Sequence, residues 1–211
     1  MATKPSIGII GAGRLGTAMA RQALTAGYEV RITNSRGPET LSLMLRVLLP
    51  GAQAATLEAV IKESDIIILA IPLNQYKALT PQLFAGKIVI DAMNYWPPTE
   101  GSIPEFMDEN VTSSEYIQQY LLEARVVKTL NHVAYNEIEE HSLPTDHPKR
   151  RAIAIAGNNV VAKEQVEQFI DSIGFDAIDL GDLKQGSNFQ PDTKLFNARL
   201  MKEEIKRIVT N

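Results

Sequence analysis

GIIGAGRLGTAMA, residues 8–20, is the stretch on which the fold turns. A short apolar run, SIGIIG from Ser6, meets glycines at 11, 13 and 16. It passes into a segment, Arg14 to Ala26, whose Leu15, Met19 and Ala23 recur every four residues. Strand, tight turn and helix are the elements this pattern predicts. Gly11 permits the turn, Gly13 leaves the backbone approachable, and Gly16 lets the helix lie close on the sheet. GYEVRITN, residues 27–34, reads as a second strand, introduced by Gly27 after the helix.

Three glycines placed between a strand and a helix, with a second strand ending near residue 34, are the setting of a dinucleotide-binding fingerprint. The amides that open the helix, Arg14 to Gly16, then face a pyrophosphate. An NAD site usually has Asp or Glu at the end of the second strand, and this chain has Asn34, Ser35 and Arg36. A carboxylate there would repel a 2'-phosphate. Arg36 instead offers planar, permanently charged donors and Ser35 a hydroxyl, a charge-assisted contact worth about 1.5–3 kcal/mol. NADP is therefore the expected cofactor, with Arg14 as a second positive charge beside the adenosine end.

Strand and helix patterns go on alternating, as in a parallel sheet with right-handed crossovers. Pro38 starts a helical stretch in which Leu41 to Leu49 is apolar enough to be well buried; GAQAAT (51–56) is a weak strand and LEAVIKES (57–64) a short helix. SDIIILAIP (64–72) and GKIVIDAMN (86–94) are apolar throughout, the mark of strands covered on both faces, with Leu73 to Phe84 as the crossover between them. YWPPTEGSIPEF (95–106) reads as a surface loop, and SSEYIQQYL (113–121) as a helix capped by Ser113 or Ser114. ARVVKTLN (124–131) is a strand ending at Asn131, NEIEEH (136–141) a charged surface turn, and HPKR (147–150) a solvated turn. RRAIAIAG (150–157), Val161 to Ile173 and GFDAIDLG (174–181) follow as strand, helix and strand. Leu195, Ala198, Met201, Ile205 and Ile208 fall at the spacing of a last helix. The expected fold is α/β, a Rossmann-type, mostly parallel sheet of about eight strands with helices on both faces and a small carboxyl-terminal extension. Residues 1–211 form one NADP-binding unit, in which 132–211 complete the sheet and the substrate side.

Composition narrows the chemistry. With no cysteine there is no thiolate nucleophile, no disulfide and no thiolate-bound metal. The histidines, His132, His141 and His147, lack the spacing that sets two ligands on one helix face, so no metal site is expected. A formal charge of -4 does not suit a nucleic-acid partner. The longest apolar run, Ile66 to Leu73, is far short of the roughly 20 residues of a membrane span. The amino terminus shows no signal-peptide apolar region, and the expected location is cytoplasmic.

Ile71, Pro72 and Asn94 end strands on the nicotinamide side of the crevice, where an open α/β sheet keeps its ligands. Tyr95 and Trp96 are either a platform for a flat substrate or packing for the proline loop. Asn131 and His132 end the later strand, and Lys128, the only lysine on a strand near that end, is expected to point away from the pocket or to be paired structurally. Glu137, Glu139 and Glu140 are read as surface charge, and no side chain is singled out as catalytic.

IGIIGAGRLG, TNSRGPE (33–39), DIIILAIP, KIVIDAMNYWPP (87–98), SSEYIQQYL (113–121), RVVKTLN (125–131), GFDAIDLGDL (174–183) and NFQPDT (188–193) together resemble the NADPH-dependent coenzyme F420 reductase-like family of NADP oxidoreductases. The resemblance implies a Rossmann-type domain, a homodimer, and hydride exchange between NADP and a deazaflavin, with coenzyme F420 or a flavin as second substrate. Gly11, Gly13, Arg14, Leu15 and Gly16 resemble its pyrophosphate loop, and Asn34, Ser35 and Arg36 its 2'-phosphate grip. Ile71, Pro72 and Asn94 resemble its nicotinamide-side wall, and His132 falls near a histidine close to the deazaflavin. Two rival readings remain: an NADP-dependent dehydrogenase of a small alcohol or imine, and a non-enzymatic NADP-binding sensor. The carboxyl-terminal helix is the candidate dimer contact.

Overall fold

The computed structural model describes residues 4–108 and 110–210. Met1–Thr3, the start of the segment read above as leaderless, lie outside the described residues. Eight strands form one sheet in the order β3-β2-β1-β4-β5-β6-β7-β8. They are β1 (Ile7–Ile10), β2 (Val30–Thr33), β3 (Gln53–Ala54), β4 (Ile66–Leu69), β5 (Ile88–Asp91), β6 (Arg125–Lys128), β7 (Ala152–Gly157) and β8 (Asp176–Asp179). The first six are mutually parallel; β7 runs antiparallel to β6, and β8 is parallel to β7. The helices are α1 (Arg14–Thr25), α2 (Ser42–Leu48), α3 (Leu57–Lys62), α4 (Pro97–Glu100), α5 (Ser113–Tyr120), α6 (Tyr135–Glu140), α7 (Val160–Ser172) and α8 (Lys202–Thr210).

Strand periodicity sorts the core into two layers. Ile9 pairs with Ile32 on one side and Ile68 on the other, and Ile68 with Ile90, which pairs with Val127. That row faces Met19, Ala20 and Ala23 of α1 and Val166, Phe169 and Ile170 of α7. The alternate residues, Ile10, Ile67, Leu69, Val89 and Val126, face Val60 and Ile61 of α3 and Ile117 of α5. Each isoleucine fully buried in this way contributes about 1.5–3 kcal/mol relative to an exposed one. A third cluster, Ala152, Ala154, Ala156, Ile178, Leu195 and Ile205, lies under α8.

Several local expectations are corrected. The crossover expected over 73–84 does join β4 to β5, and it is built of two 3-10 segments, Leu73–Ala78 and Pro81–Phe84. Residues 95–106 are not loop throughout, since α4 and a 3-10 turn at Pro104–Phe106 lie within them and Phe106 is buried. The cap of α5 is Thr112, whose hydroxyl accepts the Glu115 N–H while the Glu115 carboxylate accepts the Thr112 N–H. β6 stops at Lys128, short of Asn131, because Leu130 takes a left-handed conformation, φ 64°. NEIEEH is a helix: Glu137 pairs with the buried Arg151, and Glu139 with Arg21 on α1. In HPKR, Arg150 is buried against Asp171 and Asp176. α8 begins only at Lys202, so Leu195 and Ala198 lie in irregular chain before it.

Leu41 and Leu49 are buried, but α2 between them buries no residue, and Leu43 and Val47 are 62% and 65% exposed. In contrast, α8 spends its apolar side inward through Ile205 and Ile208. Among the described residues no helix is long and apolar enough to cross a membrane.

Candidate functional site

The carboxyl ends of β1, β2 and β4 frame a crevice of about 580 Å³. Gly11, Gly13, Asn34, Ser35, Arg36, Ile71 and Pro72 line it together. Leu57, Gln75, Ala78 and Leu79 also line it, and the sequence reading missed them. They come from α3 and the 3-10 crossover, whose residues carry no motif.

Each glycine of the fingerprint has a separate physical reason. Gly11 sits at φ 114°, and a Cβ there would lie 2.3 Å from the Ala70 carbonyl oxygen. A Cβ at Gly16 would lie 1.9 Å from the Gly11 oxygen, so α1 can approach β1 only without one. At Gly13 a Cβ would meet nothing of the chain within 4 Å. The space above Gly13 opens toward the crevice, and the first intrahelical bond of α1 is from Thr17 N–H to Gly13 O at 2.9 Å. The amides of Arg14, Leu15 and Gly16 precede that bond at the positive end of the helix. Tight turn, open backbone and free amides fit a pyrophosphate. Leu15 offers only its amide, because its side chain packs against the core.

At the end of β2, Asn34 organises the loop. Its Oδ1 accepts the Arg36 N–H at 3.0 Å, and its Nδ2 donates to Thr40 Oγ1 at 3.0 Å. Asn34 thus shapes the grip and has its amide committed within it. Ser35 and Arg36 are exposed beside the crevice, two flexible donors fitted to a phosphate. Arg14 points elsewhere than expected: its Nη1 donates to the Tyr135 hydroxyl at 3.2 Å, and the guanidinium lies 5.4 Å from that ring's centre. Its charge therefore serves the α6 flank of the glycine loop, away from the adenosine end.

The face above β5 and β6 is held by side chains. Asn94 donates to Asn131 O at 2.7 Å, while Asn131 donates to Asn94 Oδ1 and Phe189 O, each at 3.0 Å. These bonds commit both amides to tying the strand ends together. Beneath them Lys128, 2% exposed, bonds the Met93 carbonyl and lies 3.3 Å from Asp91 Oδ2, which also accepts the Ser114 hydroxyl at 2.6 Å. Burial pushes the lysine pKa down, against the attraction of Asp91. Lys128 is thus paired structurally, as expected.

His132 departs from its expected place beside the substrate. It is 2% exposed, with its ring edge against Phe189. Its Nε2 accepts the Ala154 N–H at 3.1 Å, which leaves the ring proton on Nδ1, 3.4 Å from Asn131 Oδ1. Burial, with the nearby charges of Arg151 and Lys128, lowers its pKa from 6.5 to about 3. A ring so enclosed stays neutral and exchanges no proton with the crevice.

Tyr95 packs the proline loop: its hydroxyl accepts the Ile103 N–H at 2.9 Å and donates to Gly101 O, and its ring lies on Phe106. Trp96 remains at the surface, 38% exposed.

The family model described as NADP oxidoreductase coenzyme F420-dependent matches residues 6–95. Metalloreductase STEAP3 of Rattus norvegicus is 26% identical over 181 residues, which are 85% of this chain and 34% of that protein. The chain thus spans about a third of the length of the curated relatives it matches over most of its own length. The crystal structure of a hypothetical protein from Sinorhizobium meliloti superposes with a TM-score of 0.80 at 29% identity, covering 94% of this chain and 96% of that one. A structure from Arthrobacter sp. FB24, titled for an F420-dependent NADP-reductase, gives 0.73 at 27% identity, covering 86% of each chain.

Proposed function

From the match of residues 6–95 to the family model described as NADP oxidoreductase coenzyme F420-dependent, we propose that the chain is an NADPH-dependent oxidoreductase of that family. It passes hydride between NADP(H) and a flat acceptor, coenzyme F420 or a flavin. The observation that carries the reading is the crevice itself, in which an open backbone at Gly13 and the exposed Ser35 and Arg36 stand at adjacent strand ends. The amides of Arg14, Leu15 and Gly16 would hold the pyrophosphate, and Ser35 and Arg36 the 2'-phosphate.

Bound NADPH supplies the hydride. The chain would supply position: the strand ends at β1 and β2 would hold the phosphates, and Ile71, Pro72 and the Asn94–Asn131 pair would flank the nicotinamide side. Transfer between two rings requires alignment at about 3–3.5 Å and exclusion of water, with no side-chain nucleophile. His132 and Lys128 act here as positioning groups, holding Asn131 and Met93. This arrangement also weighs against a dehydrogenase of a small alcohol or imine, because both candidate acid–base residues are enclosed and bonded away from the crevice.

The protein works in the cytoplasm as a homodimer. With the apolar side of α8 turned inward, Leu43, Val47 and Leu48 of α2 are the surface for a second copy. Sedimentation equilibrium of the native protein and of Val47→Glu is the check on that contact, and loss of the dimer in the variant is expected.

Anaerobic stopped-flow oxidation of bound NADPH, with a deazaflavin, FMN and FAD offered separately, tests the activity. Oxidation by at least one of them well above the uncatalysed rate is expected. Tight NADPH binding with no acceptor oxidising it would favour the sensor reading instead.

A further inference from the structure

The part of the crevice lined by Gln75, Ala78 and Leu79 is held only in part by its own backbone. It is built on the 3-10 segment Leu73–Ala78, a geometry with poorer hydrogen bonds than an α-helix. Its ends are closed by Gln75 N–H to Pro72 O at 2.9 Å and Leu79 N–H to Tyr76 O at 3.1 Å. Further supports come from the chain between β5 and β6. The Tyr120 hydroxyl, at the end of α5, lies 2.8 Å from Leu79 O and 3.1 Å from Lys77 O. The Glu100 carboxylate, at the end of α4, accepts the Asn74 N–H and the Trp96 N–H, both at 3.1 Å. Behind the segment, the Tyr76 ring stands edge-on to Tyr120 at 5.0 Å and tilted against Phe106 at 5.6 Å. Lys77 also pairs with Glu105, but the lysine side chain is 62% exposed, and an ion pair in water holds little.

Ser35 and Arg36 follow β2, the 3-10 wall follows β4, and β1 with its glycine turn lies between those two strands. A dinucleotide resting on the glycine turn is therefore bounded by both. Glu100, Phe106 and Tyr120 do not themselves line the crevice. From this geometry we infer that Glu100 and Tyr120 are positioning residues for dinucleotide binding, which fix one wall of the crevice from outside it. The inference rests on the NADPH reading above and adds that affinity is set in part by side chains behind the wall. A wall that has lost a support must be ordered again when the dinucleotide arrives, and the apparent affinity falls in proportion to the fraction of molecules with the wall in place. Loss of one hydrogen bond of ordinary strength makes that a factor of roughly three to ten.

Tyr120→Phe keeps the ring on Tyr76 and removes only the hydroxyl. Glu100→Gln keeps the shape, but its amide oxygen can serve one of the two N–H groups while its NH2 turns a donor toward the other. Titration calorimetry should show both variants binding NADPH and NADH roughly three- to tenfold more weakly, by the same factor for the two nucleotides. Tyr116→Phe is the control: its ring also packs on Phe106, whereas Tyr120 supplies the hydroxyl at the wall. That control should bind as the native protein does. Hydrogen exchange of the ligand-free proteins reads the wall without any ligand, and the amides of residues 74–79 should exchange faster in Tyr120→Phe than in the native protein or in Tyr116→Phe. Native affinity in both Tyr120→Phe and Glu100→Gln, native exchange across that segment, or a loss confined to NADPH would overturn this inference alone. Absence of dinucleotide binding by the native protein would overturn the NADPH reading and this inference with it.

Discussion

The crevice at β1, β2 and β4 and the face above β5 and β6 adjoin each other but are built in opposite ways. The crevice is shaped by backbone, through a left-handed glycine, amides at a helix start and a loop turned by Asn34. Over β5 and β6 side chains from residues far apart in sequence interlock: Asn94 with Asn131, Asn131 with the Phe189 carbonyl, Lys128 with Asp91, and Trp96 with Phe196. A backbone site can be carried by a short local motif. A site made of interlocked side chains exists only once the sheet has been assembled.

The sharpest way to break the contrast is within the crevice. Gly16→Ala forces a Cβ to 1.9 Å from the Gly11 oxygen, and loss of the cooperative thermal transition is expected. Gly13→Ala, three residues away, meets no atom of the chain; its melting temperature should stay within a few degrees while NADPH affinity falls. Equal stability losses in the two would refute separate roles for these glycines.

On the other face, Lys128→Met removes the cation from the buried Asp91. Denaturant unfolding should show a loss of about 3–5 kcal/mol. A loss below about 1 kcal/mol would mean that the interlocked side chains contribute little.

Arg36→Ala returns to the crevice, with a smaller expected effect. Its NADPH affinity should fall about ten- to a hundredfold, the equivalent of about 1.5–3 kcal/mol, while NADH affinity changes little. Titration calorimetry with both nucleotides decides it, and equal losses would remove the 2'-phosphate assignment.

The last effect concerns pH. His132 stays neutral in the folded protein down to about pH 3, whereas the unfolded chain takes up that proton near pH 6.5. The unfolded state therefore binds more protons between those values, and stability falls as pH drops through the window, by up to about 1.4 kcal/mol per pH unit from this group. His132→Phe leaves the Ala154 N–H without its acceptor and costs about 1–3 kcal/mol at neutral pH, but its stability should depend less on pH between 6 and 4. Parallel slopes for the two proteins in denaturant titrations would show that another group governs the acid limb.

How much could be read in advance follows the same division. GIIGAGRLG and TNSRG were legible because each residue's reason is local: a φ, a missing Cβ, a charged fork at a strand end. Leu57, Gln75, Ala78 and Leu79 were not, since they reach the crevice only because the start of α3 and the 3-10 crossover are brought beside the ends of β1 and β4. His132 looked like a site residue because it follows a strand end. Its burial depends on β7 lying antiparallel beside β6, so that the Ala154 N–H meets its ring. The helical spacing of Leu195 to Ile208 was genuine in α8, but upstream of Lys202 the apolar residues serve as separate anchors.

The amino-acid sequence by itself determined an alternating α/β chain, the glycine turn at the first strand and a charged, polar turn after the second, because those features depend on the conformational limits and charges of near neighbours. Only the tertiary structure decided that His132 and Lys128 are enclosed, that α2 keeps Leu43 and Val47 outside while α8 turns inward, and that Phe196 comes to lie on Trp96. Each of these depends on which distant segments share the ends of the sheet, and that follows from the order and direction of its strands.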